Sequence, residues 1–188
     1  MASRLRITHL SASDVQGGAA IAAYRLHRGL RDAGHDSRML VLKKSSRDRH
    51  VIEFASSTQW RHRRRRQRRR RRIENELPGL KHTNPQFGLF THVLTEFAHE
   101  PMHWIPDCDV IHLHWAAQFI DLPSLIDWLP PHMPLVWTLH DLNPVTGGCH
   151  YTWDCDRFKE GCGKCPYLES DDPDDLSGRL YARPKLGM

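Results

Sequence analysis

A strand, a glycine-bearing turn, a helix and a second strand succeed one another within the first 42 residues, and that succession restricts the chain to a parallel α/β sheet. Residues 4–10 (Arg-Leu-Arg-Ile-Thr-His-Leu) alternate polar and apolar with the period of a strand. Ser11 to Gly18 carries Ser, Asp14 and the pair Gly17-Gly18, a turn composition that lets backbone approach something closely. From Ala19, the residues Ala19, Ala22, Ala23, Leu26, Leu30 and Ala33 mark one face of a helix. Arg25, Arg28, Arg31 and Asp32 occupy its other face, and Gly34 stands at the C-terminal stop. Ser37 to Leu42 reads as the returning strand. Such a βαβ crossover is right-handed in nearly every known case, because a twisted strand feeding a right-handed helix packs back only that way.

Two more strands are predicted. Asp109 to Trp115 is one, and Leu135 to Leu139, apolar on both faces, reads as a central parallel strand. Between them Asp121 caps a short helix with Pro123 in its first turn, and Leu122, Leu125, Ile126 and Leu129 form its inner face. Phe87 to Phe97 is expected to be a buried helix or short strand, and 169–188, acidic and poor in apolar residues, has no recognisable element. A chain of 188 residues suffices for one domain with a proper core. Three regions are expected: a Rossmann-like domain over 1–145 with a polybasic insertion at about 45–82, a cysteine-rich loop over 146–168, and a disordered tail over 169–188.

The net charge of +5 is local. Ten arginines lie between Arg61 and Arg72, and the other 17 basic residues face 22 acidic ones, a balance of −5. A run without apolar members is either a solvated helix or disordered. It would bind a polyanion in a salt-dependent way, yet no stacking platform or recognition helix surrounds it, so nucleic acid is disfavoured as a specific partner. Anionic lipid headgroups fit equally well, and a solvated insertion without a ligand weighs as much as both. No window is long enough to span a bilayer and the N-terminus lacks a signal-peptide core, which places the protein in the cytoplasm, with the inner membrane face as a peripheral site.

In an open parallel sheet, ligands bind outside the carboxyl ends of the strands, near the point where strand order reverses. The first strand delivers Asp14, Gly17 and Gly18 to that edge, the Asp109 strand delivers His112, His114 and Trp115, and the Leu135 strand delivers His140 and Asp141. A glycine pair opening a helix exposes N–H groups and a positive helix end to phosphate or sugar hydroxyls, although the pair alone reads equally as a turn. His112 is read as a hydrogen-bonded core residue and His114, with Trp115, as a pocket wall. His140-Asp141 can bond a ligand hydroxyl or shuttle a proton near neutral pH. Cys149, Cys155, Cys162 and Cys165 follow the spacing C-x5-C-x6-C-x2-C with glycines beside three of them. Four thiolates suit a tetrahedral structural zinc; an iron–sulfur cluster uses the same ligands, and disulfides are disfavoured in a cytosolic chain.

These motifs in order resemble the family 4 retaining glycosyltransferases, in particular the bacterial branch of colanic-acid-type exopolysaccharide synthesis. They are Gly17-Gly-Ala-Ala-Ile-Ala-Ala-Tyr-Arg-Leu-His-Arg-Gly-Leu30, Ala33-Gly-His-Asp36, Asp109-Val-Ile-His-Leu-His-Trp115, Trp137-Thr-Leu-His-Asp141 and the Thr146-Gly-Gly-Cys-His-Tyr run. The resemblance spans about residues 4–170 outside the arginine block. It implies a two-Rossmann-domain fold of which this chain is the N-terminal, acceptor-side half. It also implies transfer of a sugar from a nucleotide-diphospho-sugar to a saccharide or lipid-linked acceptor with retention. Gly17 and Gly18 would lie near the donor diphosphate, and His140 would contact the transferring sugar with Asp141 supporting it. The family's C-terminal donor-binding domain has no counterpart after Pro166, so the chain is expected to be weakly active or inactive alone. The competing reading is a non-catalytic, metal-stapled module that docks polyanion or anionic membrane through Arg61–Arg72.

Overall fold

The computed structural model describes residues 3–77 and 88–183. Five strands form one parallel sheet: β1 (Arg6–Ser13), β2 (Asp36–Lys43), β3 (Val51–Glu53), β4 (Val110–Leu113) and β5 (Leu135–Trp137). The spatial order is β3-β2-β1-β4-β5, so the order reverses between β1 and β4. With helix α1 (Gly18–Asp32) and helix α3 (Leu122–Trp128) flanking it, this is a Rossmann-like α/β fold. Among the described residues the other α-helices are α2 (Trp60–Glu76) and α4 (Leu176–Tyr181). The chain divides into two compact units: Met1–Gln59 with Phe97–His140, and Trp60–Glu96 with Asp141–Met188. Among the described residues, no helix is long and apolar enough to cross a membrane.

In the first unit, the period of two sorts side chains onto two unlike faces. Leu10, Leu40, Ile111 and Leu113 point to one face and join Phe54, Met102, Phe119 and Leu125 in the main core. The register pairs His9 with Met39 and with His112, so the opposite face carries a row of polar rings beside Met39 and Val41. Helix α1 covers that row, and its buried residues are Ala20, Ala23 and His27. The sequence pattern selects Ala19, Ala22 and Leu26 for the buried face. Ala22 is exposed and Leu26 is 40% exposed, because the stripe that meets the sheet is turned by one position to carry His27 inward.

Two strands depart from expectation. Val51–Glu53, inside the segment read as a polybasic insertion, adds a short edge strand to β2. β5, read as central, ends the strand order, and Val136 stays 47% exposed. The Asp121 cap is present: its carboxylate accepts from the Ser124 amide at 3.1 Å, which satisfies a first-turn donor. Of the expected inner face of α3, Leu125 is buried and Ile126 is exposed.

In the second unit, the arginine run is the helical alternative of the two considered. α2 spans 17 residues with none buried. Arg70–Glu74 at 3.0 Å and Arg72–Glu76 at 3.1 Å tie successive turns, each pair contributing about 0.3 kcal/mol at most in such exposure. Ile73 and Leu77 pack on an apolar cluster of Leu94, Cys149, Cys165, Tyr167, Leu168, Leu176 and Leu180. No helix or strand forms over 88–97, where Phe90 makes one antiparallel bridge to Cys149; Phe87 lies outside the described residues. The tail corrects the reading of 169–188 as a segment without elements: α4 is capped by Asp175 and buries Leu176 and Leu180. Three apolar or small residues at helical spacing sufficed once a core was there to receive them.

Candidate functional site

The strand order places the carboxyl ends of β1 and β4 side by side at the reversal, the position where doubly wound sheets leave a crevice. Asp14, Gly17 and Gly18 follow β1 there, and His114 and Trp115 follow β4. Gly17 takes φ 89°, a left-handed backbone that only glycine adopts cheaply. Both glycines are exposed, and a Cβ on either would meet nothing within 4 Å. Helix α1 thus begins on open space, with no side-chain cap and no acidic residue in its first turn. That leaves its positive end to an anion.

Asp14 is held by backbone amides. Fully buried, its carboxylate accepts from the amides of Val15 (2.9 Å), Ser45 (2.9 Å) and Ser46 (2.8 Å). Burial alone would raise its pKa, but these amides outweigh that effect and hold the carboxyl below its ordinary value. It ties the loop after β2 to the loop that presents the glycines.

His114 is the best connected of the expected site residues. It is 3% exposed, its Nε2 faces His9 Nδ1 at 3.0 Å, and its Nδ1 faces His140 Nε2 at 3.1 Å. His9 continues inward through Nε2 to Ser37 Oγ at 3.1 Å, and the same hydroxyl lies 2.8 Å from His27 Nδ1. Burial, reinforced by neighbouring rings, pushes His9 down to about 2 and His114 to about 3. Burial also takes His27 down to about 4 although Asp48 opposes it. These rings are neutral at pH 7. His112, half-buried, meets Thr138 Oγ1 at 2.7 Å, as befits a hydrogen-bonded core ring. Trp115 is half-buried, and its carbonyl accepts from the Ala12 amide at 2.8 Å, which fastens the end of β4 to β1. His9, His27 and Ser37 escape a reading by strand ends because they sit in mid-element. The period of two on β1 and β4 was the only available signal.

In the second unit, Asp141 is engaged differently from the sequence reading. Its carboxylate lies 2.7 Å from His150 Nδ1 and accepts from the Asn143 amide at 2.9 Å. His150 Nε2 faces Thr91 Oγ1 at 2.9 Å. Asp141 and His150 thus form a pair that shapes the loop. Asn143 reinforces it, donating to the carbonyls of Thr91 (2.8 Å) and Gly148 (2.9 Å).

Cys149, Cys155, Cys162 and Cys165 are free thiols that line one small cavity together with Phe90 and Tyr167. The Gly147 amide donates to Cys162 Sγ at 3.2 Å. Burial, with the nearby thiols, pushes the Tyr167 hydroxyl up to about 12. The donor set suits zinc in kind and number. Among the described residues, however, the one group of three or more metal-binding side chains with ligand atoms within 4.8 Å of each other is His9, His112 and His114.

Residues 16–160 match the family model described as Glycosyltransferase Family 4. Over 70 residues the chain is 39% identical to the putative colanic acid biosynthesis glycosyl transferase WcaC of Escherichia coli (strain K12). That alignment covers 34% of this chain and 16% of the relative. No solved structure matches.

Proposed function

Because the chain belongs to Glycosyltransferase Family 4, we propose that it is the acceptor-side domain of an enzyme that moves a sugar from a nucleotide-diphospho-sugar to a saccharide or lipid-linked acceptor with retention at the anomeric carbon. The observation that carries this reading is the opening of α1 at the switch point beside His114 and its partner His140. The exposed amides at Gly17 and Gly18 and the positive end of α1 would bind the donor diphosphate, on which negative charge develops as the glycosidic bond breaks. His140 would hold a hydroxyl of the transferring sugar, and Trp115 would flank it. A second domain of the family's architecture would supply the remaining donor contacts.

The test is Gly18→Asp. A Cβ there meets nothing, and a carboxylate in the first turn favours the helix, so the fold is retained. The new charge opposes a diphosphate and should weaken binding of a nucleotide-diphospho-sugar about tenfold or more. Isothermal titration across a panel of such donors reads this directly. Equal donor affinity in wild type and variant would remove the glycine pair from the site.

The exposed surface of α2 favours a peripheral role in addition: ten arginines on one helix would hold the protein to anionic lipid at the inner membrane face. A zinc ion held by Cys149, Cys155, Cys162 and Cys165 would cross-link the cysteine loop. About one zinc per chain is expected by elemental analysis of freshly purified, reduced protein. A metal-free product with an unchanged loop would remove the zinc.

A further inference from the structure

The polar face beneath α1 holds more than a packed set of rings. Its contacts form a single file: Asp48, His27, Ser37, His9, His114, His140. The links are Asp48 Oδ2 to His27 Nε2 (3.6 Å), His27 Nδ1 to Ser37 Oγ (2.8 Å), Ser37 Oγ to His9 Nε2 (3.1 Å), His9 Nδ1 to His114 Nε2 (3.0 Å) and His114 Nδ1 to His140 Nε2 (3.1 Å). Each neutral ring has one N–H and one lone pair, and a hydroxyl that donates on one side must accept on the other. Once Ser37 spends its one hydrogen on His27, it can only accept from His9, and every ring beyond follows.

Asp48 sets that end. Its carboxylate is charged, held by the His50 amide at 2.8 Å, His50 Nδ1 at 3.1 Å and the Tyr24 hydroxyl at 3.2 Å. His27 Nε2 has no hydrogen-bond partner, and the carboxylate at 3.6 Å is the charge it faces. An N–H there is attracted and a lone pair repelled, in a setting from which water is excluded. With His27 protonated at Nε2, its Nδ1 must accept from Ser37, Ser37 must accept from His9 Nε2–H, His9 Nδ1 must accept from His114 Nε2–H, and His114 Nδ1 must accept from His140 Nε2–H.

We propose that Asp48, His27, Ser37, His9 and His114 are positioning residues forming a buried tautomer relay, which fixes His140 as the Nε2–H form with its lone pair on Nδ1. The relay stands on its own geometry. Its consequence for sugar transfer, that the ring reaches the transferring sugar as an acceptor at Nδ1, rests on the role given to His140 above. A metal centre at His9, His112 and His114 is the rival use of the same rings. The 3.0 Å between His9 Nδ1 and His114 Nε2 is an N–H···N separation, and His112 stacks on His114 with centroids 4.2 Å apart. Stacked rings aim their lone pairs side by side and not at one point.

The experiment is long-range proton–nitrogen correlation on the nitrogen-15-labelled chain at neutral pH. His9, His27, His114 and His140 should each show the Nε2–H tautomer, dominant by about tenfold or more. Asp48→Asn keeps the shape, but its amide can donate toward His27 Nε2, and Nδ1–H forms should then appear as far along as His114 and His140. Ser37→Ala, which cuts the file in the middle, should release His9, His114 and His140 while leaving His27 toward Asp48. Nδ1–H at His114 or His140 in the wild type would overturn the relay, as would tautomers at those rings that ignore both variants. So would stoichiometric Zn2+ that shifts His9, His112 and His114 together. If the tautomers respond as expected while the affinity for the nucleotide-diphospho-sugar panel survives His140→Ala, the relay stands and the sugar contact falls. If His140→Ala weakens donor binding but neither relay variant moves a tautomer, the relay falls alone.

Discussion

Lowering the pH from 7 to 5 should remove several kcal/mol of stability from the unit that holds the sheet, and the size follows from its buried rings. His9, His114 and His27 have folded-state values near 2, 3 and 4, depressed chiefly by burial, against 6.5 in the unfolded chain. A depressed folded value means that the unfolded state takes up the proton first. The stability is therefore complete above pH 6.5 and drains away as the pH falls from there, down to about 4 for His27, about 3 for His114 and about 2 for His9. At pH 5, one and a half units below the unfolded value, each ring forfeits about 2 kcal/mol. Three rings together approach about 6 kcal/mol, comparable with the whole stability of a small domain. Asp14 and Asp48 add nothing in this window, since their unfolded value is 3.8 and both are lowered further in the fold. Native-state hydrogen exchange at the amides of Ile111 and His114, which bond to neighbouring strands, reports on this unit alone. Between pH 6 and 5 the slope should approach three protons, about 4 kcal/mol per pH unit, and His27→Gln should reduce it by about one proton. A slope below one proton in the wild type would refute the neutral, buried assignment of these rings.

Other outcomes follow from single contacts. Asp175→Ala should cost the second unit about 3 kcal/mol in urea unfolding, because that carboxylate caps Gly178 at 3.0 Å and holds the buried Cys165 amide at 2.8 Å. Gly147→Ala should cost at least about 2 kcal/mol, since the added Cβ would lie 2.2 Å from the Ser177 carbonyl oxygen. Gly29→Ala, an exposed helix-interior position with nothing within 4 Å, should instead raise stability by about 1 kcal/mol, measured the same way. Replacing the ten arginines of Arg61–Arg72 by glutamine should abolish salt-sensitive binding to anionic vesicles without altering the circular dichroism of the sheet. Unchanged vesicle binding would end the electrostatic account of α2.

Much of the architecture was legible because it is written locally. A period of two or three and a half, a capping aspartate at 121 and a glycine at 34 act within a few residues of themselves. They identified β1, α1, β2, β4 and α3 and with them the parallel sheet. The short edge strand Val51–Glu53 and helix α4 were not legible, since three to six residues carry too little periodicity to declare themselves and take their form from the core that receives them. The exposed edge position of β5 was equally hidden: an apolar run is the same whether its outer face is covered or bare.

For the candidate site, the sequence by itself determined which residues leave the strand ends, and hence that Gly17, Gly18, His114 and His140 belong to one rim of the sheet. It did not determine their partners. Asp141 pairs with His150 and Asp14 takes the amides of the loop after β2, because a buried carboxylate takes whichever donors the fold brings within hydrogen-bond reach. Only the crossing of β1 between β2 and β4, with α1 laid over them, brought Ser37, His27 and His9 into line with His114. Hydrogen bonding is decided by ångströms in space, and residues separated by 105 positions in the chain, as His9 and His114 are, have no local signal that announces it.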